Sequence, residues 1–300
     1  MSTTETKRAE QVAVELSPLP AVVYEPLVRR ALDEDLGRAG DLTTEATVPA
    51  DLNAEADVVA RVAGRVAGLD VAAAAFRLLD PSLVWHPRVA DGEDVEAGTV
   101  LARVAGKARA ILTAERTALN FLGHLSGIAT ATRDIARAVE EVSPGTRVAD
   151  TRKTLPGLRA LQKYAVRTGG GSNHRFALDD AVLIKDNHIA LAGSIGTAVA
   201  AARARAGHLV KVEVEVDTLE QLEAALAAGA DVVLLDNMDL DTLRLAVELT
   251  AGRAVTEASG GITPKTAPAI AATGVDLLSI GWLTHSVRNL DVALDVARPA

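Results

Sequence analysis

The segment 210-VKVEVEVDTLEQLEAALAAGADVVLLDN-237 spells out one strand, one helix and a second strand. In 211-KVEVEV-216, strict alternation sends Lys211, Glu213 and Glu215 to one face and three valines to the other. LEQLEAALAAG then carries helical spacing, and 231-DVVLLDN-237 is the near-continuous apolar run of a strand covered on both faces. Outward from this unit the same style recurs in RVADTRKT (147–154), AVLIKDN (181–187), AVTEASGG (254–261) and VDLLSIG (275–281). Strands alternating with helices at this spacing make parallel βαβ units, and six of them suit an α/β barrel. An open doubly wound sheet has less support, because no G-x-G-x-x-G follows a strand.

In such a barrel the strand C-termini and the loops after them build the active site, so the residues there form a candidate list. They are Asp150, Arg152 and Lys153; Lys185, Asp186 and Asn187; Glu213 and Glu215; Asp236 and Asn237; Glu257 and Ser259; Ser279 and Gly281. A structural alternative exists for the alternating run: interior ion pairs of Lys211 with Glu213 or Glu215. Ser259-Gly260-Gly261 and Ile280-Gly281 lie late in the barrel, where backbone N–H groups that only glycine exposes commonly bind phosphate. Gly169-Gly170-Gly171 is a weaker signal that gains meaning from Asn173-His174-Arg175 just after it.

Charge agrees with an anion site. The chain has a formal net charge of −9, yet residues 147–188 hold eight Lys/Arg against four Asp/Glu. An acidic total with two Trp, two Tyr and three Phe argues against nucleic acid, which needs an extended basic face or stacking platforms. The local cluster therefore points to a small anion. With no cysteine, disulfides, thiolate zinc sites and thiol nucleophiles are excluded. The N-terminus lacks the apolar run of a signal peptide and no segment is apolar enough to span a bilayer, so a cytoplasmic location is expected.

Residues 1–20 read as a polar extension, and AVVYEPLVRRALDEDLG has helical spacing. From 53 to 105, short Val-rich runs broken by turns predict a small α+β unit with an Ala-rich helix near 70–80. The block 107–142 predicts a long helix interrupted near Gly123 or Gly127, with Arg116 on the same stripe as Leu112 and Leu119. A guanidinium there needs a partner: either an acid of the other domain or a ligand.

ERTALNFL, DTRKTLPGLRALQKYAVRTGGGSNHR, LIKDNH, VEVEVDTLEQ, LLDNM, EASGGI and SIGWLTHS, preceded by GDLTTEATVP, resemble the quinolinate phosphoribosyltransferase family from about residue 20 to the end. The resemblance implies an incomplete, TIM-like parallel α/β barrel (116–285) with an N-terminal α+β domain (21–115) against which residues 286–300 pack back. It implies a homodimer in which the neighbour's N-terminal domain completes the site. The reaction it implies joins quinolinate to 5-phosphoribosyl diphosphate with Mg²⁺, giving nicotinate mononucleotide, diphosphate and carbon dioxide.

On that resemblance Arg116, Arg152, His174, Arg175 and Lys185 hold quinolinate, and Lys153 lies between it and the diphosphate. Glu215 and Asp236 engage ribose or Mg²⁺ and stabilise the oxocarbenium-like centre, while Ser259, Gly260, Gly261 and Gly281 bind phosphate. Arg61, with Arg65 as the alternative, is the arginine expected to cross the dimer. Two rivals remain: a related barrel enzyme with another acceptor base, and an aldolase-like enzyme using Lys185 as a Schiff-base lysine.

Overall fold

The computed structural model describes residues 16–297. Of the expected polar extension, residues 1–15 lie outside the described residues, and 16–20 carry no helix or strand. The chain begins with α1 (Ala21–Leu36), α2 (Leu42–Thr47), β1 (Asn53–Ala60), β2 (Gly64–Arg65) and α3 (Leu69–Leu79). β3 (Val84–Pro87), β4 (Asp94–Val95), β5 (Val100–Lys107) and α4 (Ala108–Glu140) follow. Then come β6 (Arg147–Ala149), α5 (Arg159–Thr168), β7 (Val182–Ile184), α6 (Asp186–Ala192), α7 (Ile195–Arg205), β8 (Val212–Val216) and α8 (Leu219–Ala227). β9 (Val232–Asp236), α9 (Leu240–Thr250), β10 (Val255–Ser259), α10 (Ala267–Ala271), β11 (Leu277–Ser279), a 3-10 turn (Gly281–Thr284) and β12 (Val292–Val296) complete it.

The N-terminal sheet has the order β12-β1-β5-β3, with β12 returning from the far end of the chain to pair antiparallel with β1. α3 buries Val71 through Phe76, and its run of alanines has no bulk to hold it away from α4. The ring of Phe76 stacks on Trp85 with centroids 5.4 Å apart.

α4 is one unbroken helix of 33 residues, so the interruption expected at Gly123 or Gly127 is absent. A mid-helix glycine costs only about 1 kcal/mol relative to alanine, and here tertiary contact uses the missing side chain. A Cβ at Gly127 would lie 2.2 Å from the Arg288 carbonyl oxygen, and one at Gly123 would lie 2.9 Å from that of Leu290. The two glycines let the segment leading to β12 cross the helix in contact. The first part of α4, through Ile111, Leu122, Leu125 and Ile128, belongs to the core under the N-terminal sheet. Its last turns, through Ile135 and Val139, belong to the barrel core.

The six barrel strands are all parallel, in the order β6-β11-β10-β9-β8-β7. The barrel is incomplete between β6 and β7. Part of that gap is spanned by Ser172, whose N–H donates to Val148 O at 2.7 Å while its carbonyl accepts from Asp150 N–H at 3.1 Å. The valines of β8 are buried, as their alternation requires. The interior pairing expected for Lys211 does not form: Lys211 precedes β8 and its ammonium meets Asp231 at 3.3 Å. Alternation assigns a face but not a position along the barrel axis, and Lys211 sits at the end opposite Glu215.

Candidate active site

The C-terminal ends of the barrel strands enclose a cavity of about 370 Å³. Thr151, Arg152 and Lys153 reach it from the loop after β6, His174 and Arg175 from the segment before β7, and Lys185 from the end of β7. Glu215 of β8, Asp236 of β9, Glu257 and Ser259 of β10 and Ser279 of β11 complete the polar wall. A second hollow of about 290 Å³ shares Thr151, Lys153, Ser259 and Ser279 and is otherwise lined by Gly260, Gly261, Gly281, Thr263, Trp282 and His285 among others. Lys153 thus stands between the two. Gly260 has φ +101°, and a Cβ there would lie 2.1 Å from Asn237 Oδ1, so only glycine makes this turn. Gly169-Gly170-Gly171 lines neither hollow; Gly169 and Gly171 pack against Thr132 of α4.

A fully buried pair sets the wall that carries His174 and Arg175. Lys163 of α5 and Asp150, just after β6, are both 0% exposed and hydrogen-bonded to each other. Asp150 also accepts from Asn173 Nδ2 at 2.6 Å and from His174 N–H at 2.9 Å, while Lys163 Nζ donates to His174 O at 3.0 Å. Burial pushes the Asp150 carboxyl up and the Lys163 ammonium down, against their mutual attraction. The pair clasps residues 172–174 across the open side of the barrel. Lys163 has no sequence signal beyond its place among apolar helix positions.

The cations differ in their partners. Lys185 is hydrogen-bonded to Glu215. Arg175 donates to Ala181 O at 3.2 Å and makes no ion pair among the described residues; nor does Arg152, whose Nε is buried without a partner. Burial and the Arg152 charge together push the Arg175 guanidinium down. Two neighbouring guanidinium groups without an ion-pair partner among the described residues suit a ligand bearing adjacent carboxylates, each able to take a bidentate grip.

His174 has both ring nitrogens engaged. Nδ1 accepts from Arg175 N–H at 2.7 Å, and Nε2 faces Glu213 Oε2 at 3.0 Å and Glu257 Oε1 at 3.4 Å. Burial opposes its protonation, but the Glu213 hydrogen bond and the charges of Glu257 and Glu213 outweigh it and raise the imidazole. In this arrangement His174 has no free N–H for a substrate carboxylate.

Arg116, Arg61 and Arg65 lie outside this cavity. Arg116 lies at the exposed end of its stripe: Leu119 and Gly123 are buried and Leu112 is half-buried, but the Arg116 side chain is 64% exposed. Its nearest acid is its neighbour Glu115, at 4.0 Å, so no acid of the barrel pairs with it. It borders a separate hollow with Asp35, Asp41, Leu112 and Thr113. Arg61 pairs with Asp295 at 2.5 Å, and Arg65 forks onto Asp94 at 2.9 and 3.0 Å.

Residues 41–126 match the family model for the N-terminal domain of quinolinate phosphoribosyl transferase, and residues 128–295 match the model for its C-terminal domain. The chain belongs to the quinolinate phosphoribosyltransferase family. It is 48% identical over 263 residues to a protein of Bacillus subtilis named probable nicotinate-nucleotide pyrophosphorylase (carboxylating), covering 88% of this chain and 90% of that one. Over 275 residues it is 49% identical to the nicotinate-nucleotide pyrophosphorylase (carboxylating) of Mycobacterium leprae, covering 90% and 95%. The solved nicotinate-nucleotide pyrophosphorylase of Francisella tularensis superposes with a TM-score of 0.89 at 39% identity, covering 94% of this chain and 99% of that one. Membership in a phosphoribosyltransferase family sets aside the aldolase reading.

Proposed function

We propose that the cavity binds quinolinate against Arg152 and Arg175 and 5-phosphoribosyl diphosphate against Lys153 and the glycine-lined hollow. The enzyme transfers the phosphoribosyl group to the ring nitrogen and releases carbon dioxide, giving nicotinate mononucleotide and diphosphate for NAD synthesis. The observation that carries this reading is the adjacent pair Arg152 and Arg175, neither with an acid partner among the described residues. Nicotinate, which lacks the carboxylate beside the ring nitrogen, would leave part of that charge unpaired at a cost of several kcal/mol.

Charge development assigns the remaining groups. As diphosphate leaves, Glu215 and Asp236 face the positive ribose centre and stabilise it without a covalent intermediate. The same carboxylates fit Mg²⁺. β8–β9 register sets Glu215 beside Leu234, so Asp236, two residues on, shares its face and offers a second hard oxygen donor. Bound with the diphosphate, Mg²⁺ would neutralise charge on the leaving group. After transfer, the cationic ring nitrogen stabilises the carbanion left by the departing carboxylate.

The proposal includes a homodimer, with Arg116 rather than Arg61 as the arginine given to the neighbour's site. Arg61 and Arg65 are satisfied within their own chain, whereas Arg116 projects from α4 with a single weak contact. It also keeps the cytoplasmic location; no helix among the described residues is long and apolar enough to cross a membrane. Incubation with quinolinate, phosphoribosyl diphosphate and Mg²⁺ should yield nicotinate mononucleotide, and nicotinate should be used orders of magnitude less efficiently in kcat/KM. Equal use of nicotinate would remove the two-carboxylate clamp.

A further inference from the structure

The reaction needs a proton that neither substrate delivers. When the carboxylate beside the ring nitrogen leaves as carbon dioxide, the electron pair of the broken C–C bond stays on the ring carbon, and a C–H bond must form there. Arginine does not give up protons in proteins, which removes Arg152 and Arg175. Lys185 is held in its ion pair with Glu215.

Behind the cations lies a group that holds a proton. Because His174 Nδ1 accepts from Arg175 N–H, the ring carries its hydrogen on Nε2, and this one N–H faces two carboxylates, Glu213 and Glu257. The three ligating atoms lie within 4.8 Å of one another, with both glutamates buried. Two carboxylates so close in a buried site oppose each other's ionisation, and burial adds to the cost of the charged form. Glu257 is the one on the cavity wall. Its Oε1 takes the Ser279 hydroxyl and faces His174, leaving Oε2 without a hydrogen-bond partner among the described residues.

We propose that Glu257 is the general acid that protonates the ring carbon after decarboxylation. The Glu257 O–H bond breaks, its proton joins the carbon's electron pair as a new C–H bond, and Glu257 is left as a carboxylate that regains a proton from water. This rests on the order in which glycosyl transfer precedes loss of carbon dioxide. Burial and the Glu213 charge push the Glu257 carboxyl up to about 7, with His174 opposing and Asp150 adding to the rise. The groups facing it are Glu213 from β8, His174 from the clasped segment, Asp150 from the end of β6 and Ser279 from β11, with Arg152, Lys153 and Arg175 also lining the cavity. The acid form is the active one, so proton transfer is at full rate below about pH 7 and weakens as pH rises.

Glu257→Gln keeps the shape and loses the transferable proton. Rapid-quench single turnovers, following diphosphate, labelled carbon dioxide and nucleotide product separately, should show diphosphate release within a few-fold of wild type. The decarboxylated product should form slower by on the order of 100-fold. Wild type, with no substitution, should lose product formation above about pH 7; that high-pH limb should vanish in Glu257→Gln, whose ring carbon must take its proton from solvent. A variant that forms product at the wild-type rate, or slows diphosphate release equally, overturns the assignment. So does a high-pH limb that survives in Glu257→Gln and disappears in Lys153→Met. Carbon dioxide released before diphosphate would instead overturn the order of steps on which the assignment rests.

Discussion

Arginines of the N-terminal region and arginines at the barrel mouth have opposite surroundings. In the first, Arg103 forks onto Asp57 at 2.6 and 2.8 Å, Arg61 meets Asp295, and Asp94 gathers Arg65, Arg133 and Arg137. At the mouth, Arg152 and Arg175 lie close enough for their charges to oppose each other, with no acid paired to either among the described residues. Pairs of the first kind are satisfied within the chain and, at a solvated surface, contribute about 0–1 kcal/mol. At the mouth the two guanidinium charges oppose each other, and a bound anion would relieve that. An arginine's task here is read from the acid it lacks.

Arg116 fits neither group: its one acid contact is Glu115 at 4.0 Å, and it lies outside the cavity. Arg116→Ala and Lys185→Ala should each be nearly inactive alone. Mixed after subunit exchange, they should recover up to about a quarter of wild-type activity, since half the dimers are hybrids with one intact site of two. No recovery, with exchange shown independently, would place Arg116 outside any site; a loss of activity in Arg61→Ala would restore the original expectation.

The buried clasp should give the next largest effect. Lys163→Met leaves Asp150 buried without its cation and should cost about 3–5 kcal/mol of stability in denaturant unfolding. A loss under 1 kcal/mol would mean that the segment bearing His174 and Arg175 does not depend on it. At the mouth itself, Arg152→Lys or Arg175→Lys keeps charge but loses the planar fork, and calorimetry should show quinolinate binding weakened by about 1–3 kcal/mol. Arg103→Met, by contrast, should change stability by less than about 1 kcal/mol and leave kcat/KM unaltered.

The smallest effect is one of pH. Hydrogen bonds from Arg65 and Arg133 hold the Asp94 carboxyl well below the usual carboxylate range. A depressed carboxylate stabilises the fold above its unfolded value, near 4, and loses that contribution as pH falls toward its folded value. The Tm difference between wild type and Asp94→Asn should therefore be constant from pH 5 to 7 and shrink below about pH 4. A difference that grows in acid would reverse the assignment.

The sequence made the barrel legible because each strand is bounded by polar residues and separated by a helical stretch, and β8 showed its polar face by alternation alone. It also brought Arg152, Lys153, Lys185, Glu215 and Asp236 to one list of strand ends, and the structure gathers all five around one cavity with Arg175, which the resemblance supplied. What it could not show was partnership. Lys211 shares a periodicity with Glu215 but lies at the other end of the strand, and Arg61 differs from Arg116 only by an aspartate more than two hundred residues away. The helix break expected at Gly123 and Gly127 failed for a related reason: local propensity cannot register a backbone that arrives from β12.

That late arrival bears on how the molecule is made. β1 pairs on one side with β5, close by in the chain, and on the other with β12, which sets Ala56 against Val296. During synthesis one edge of β1 stays unsealed until the whole barrel has emerged, an open strand edge of the kind that invites aggregation. The seam at β12 is thus a closing stitch, and a ribosome stalled short of it would release a chain with that edge still bare.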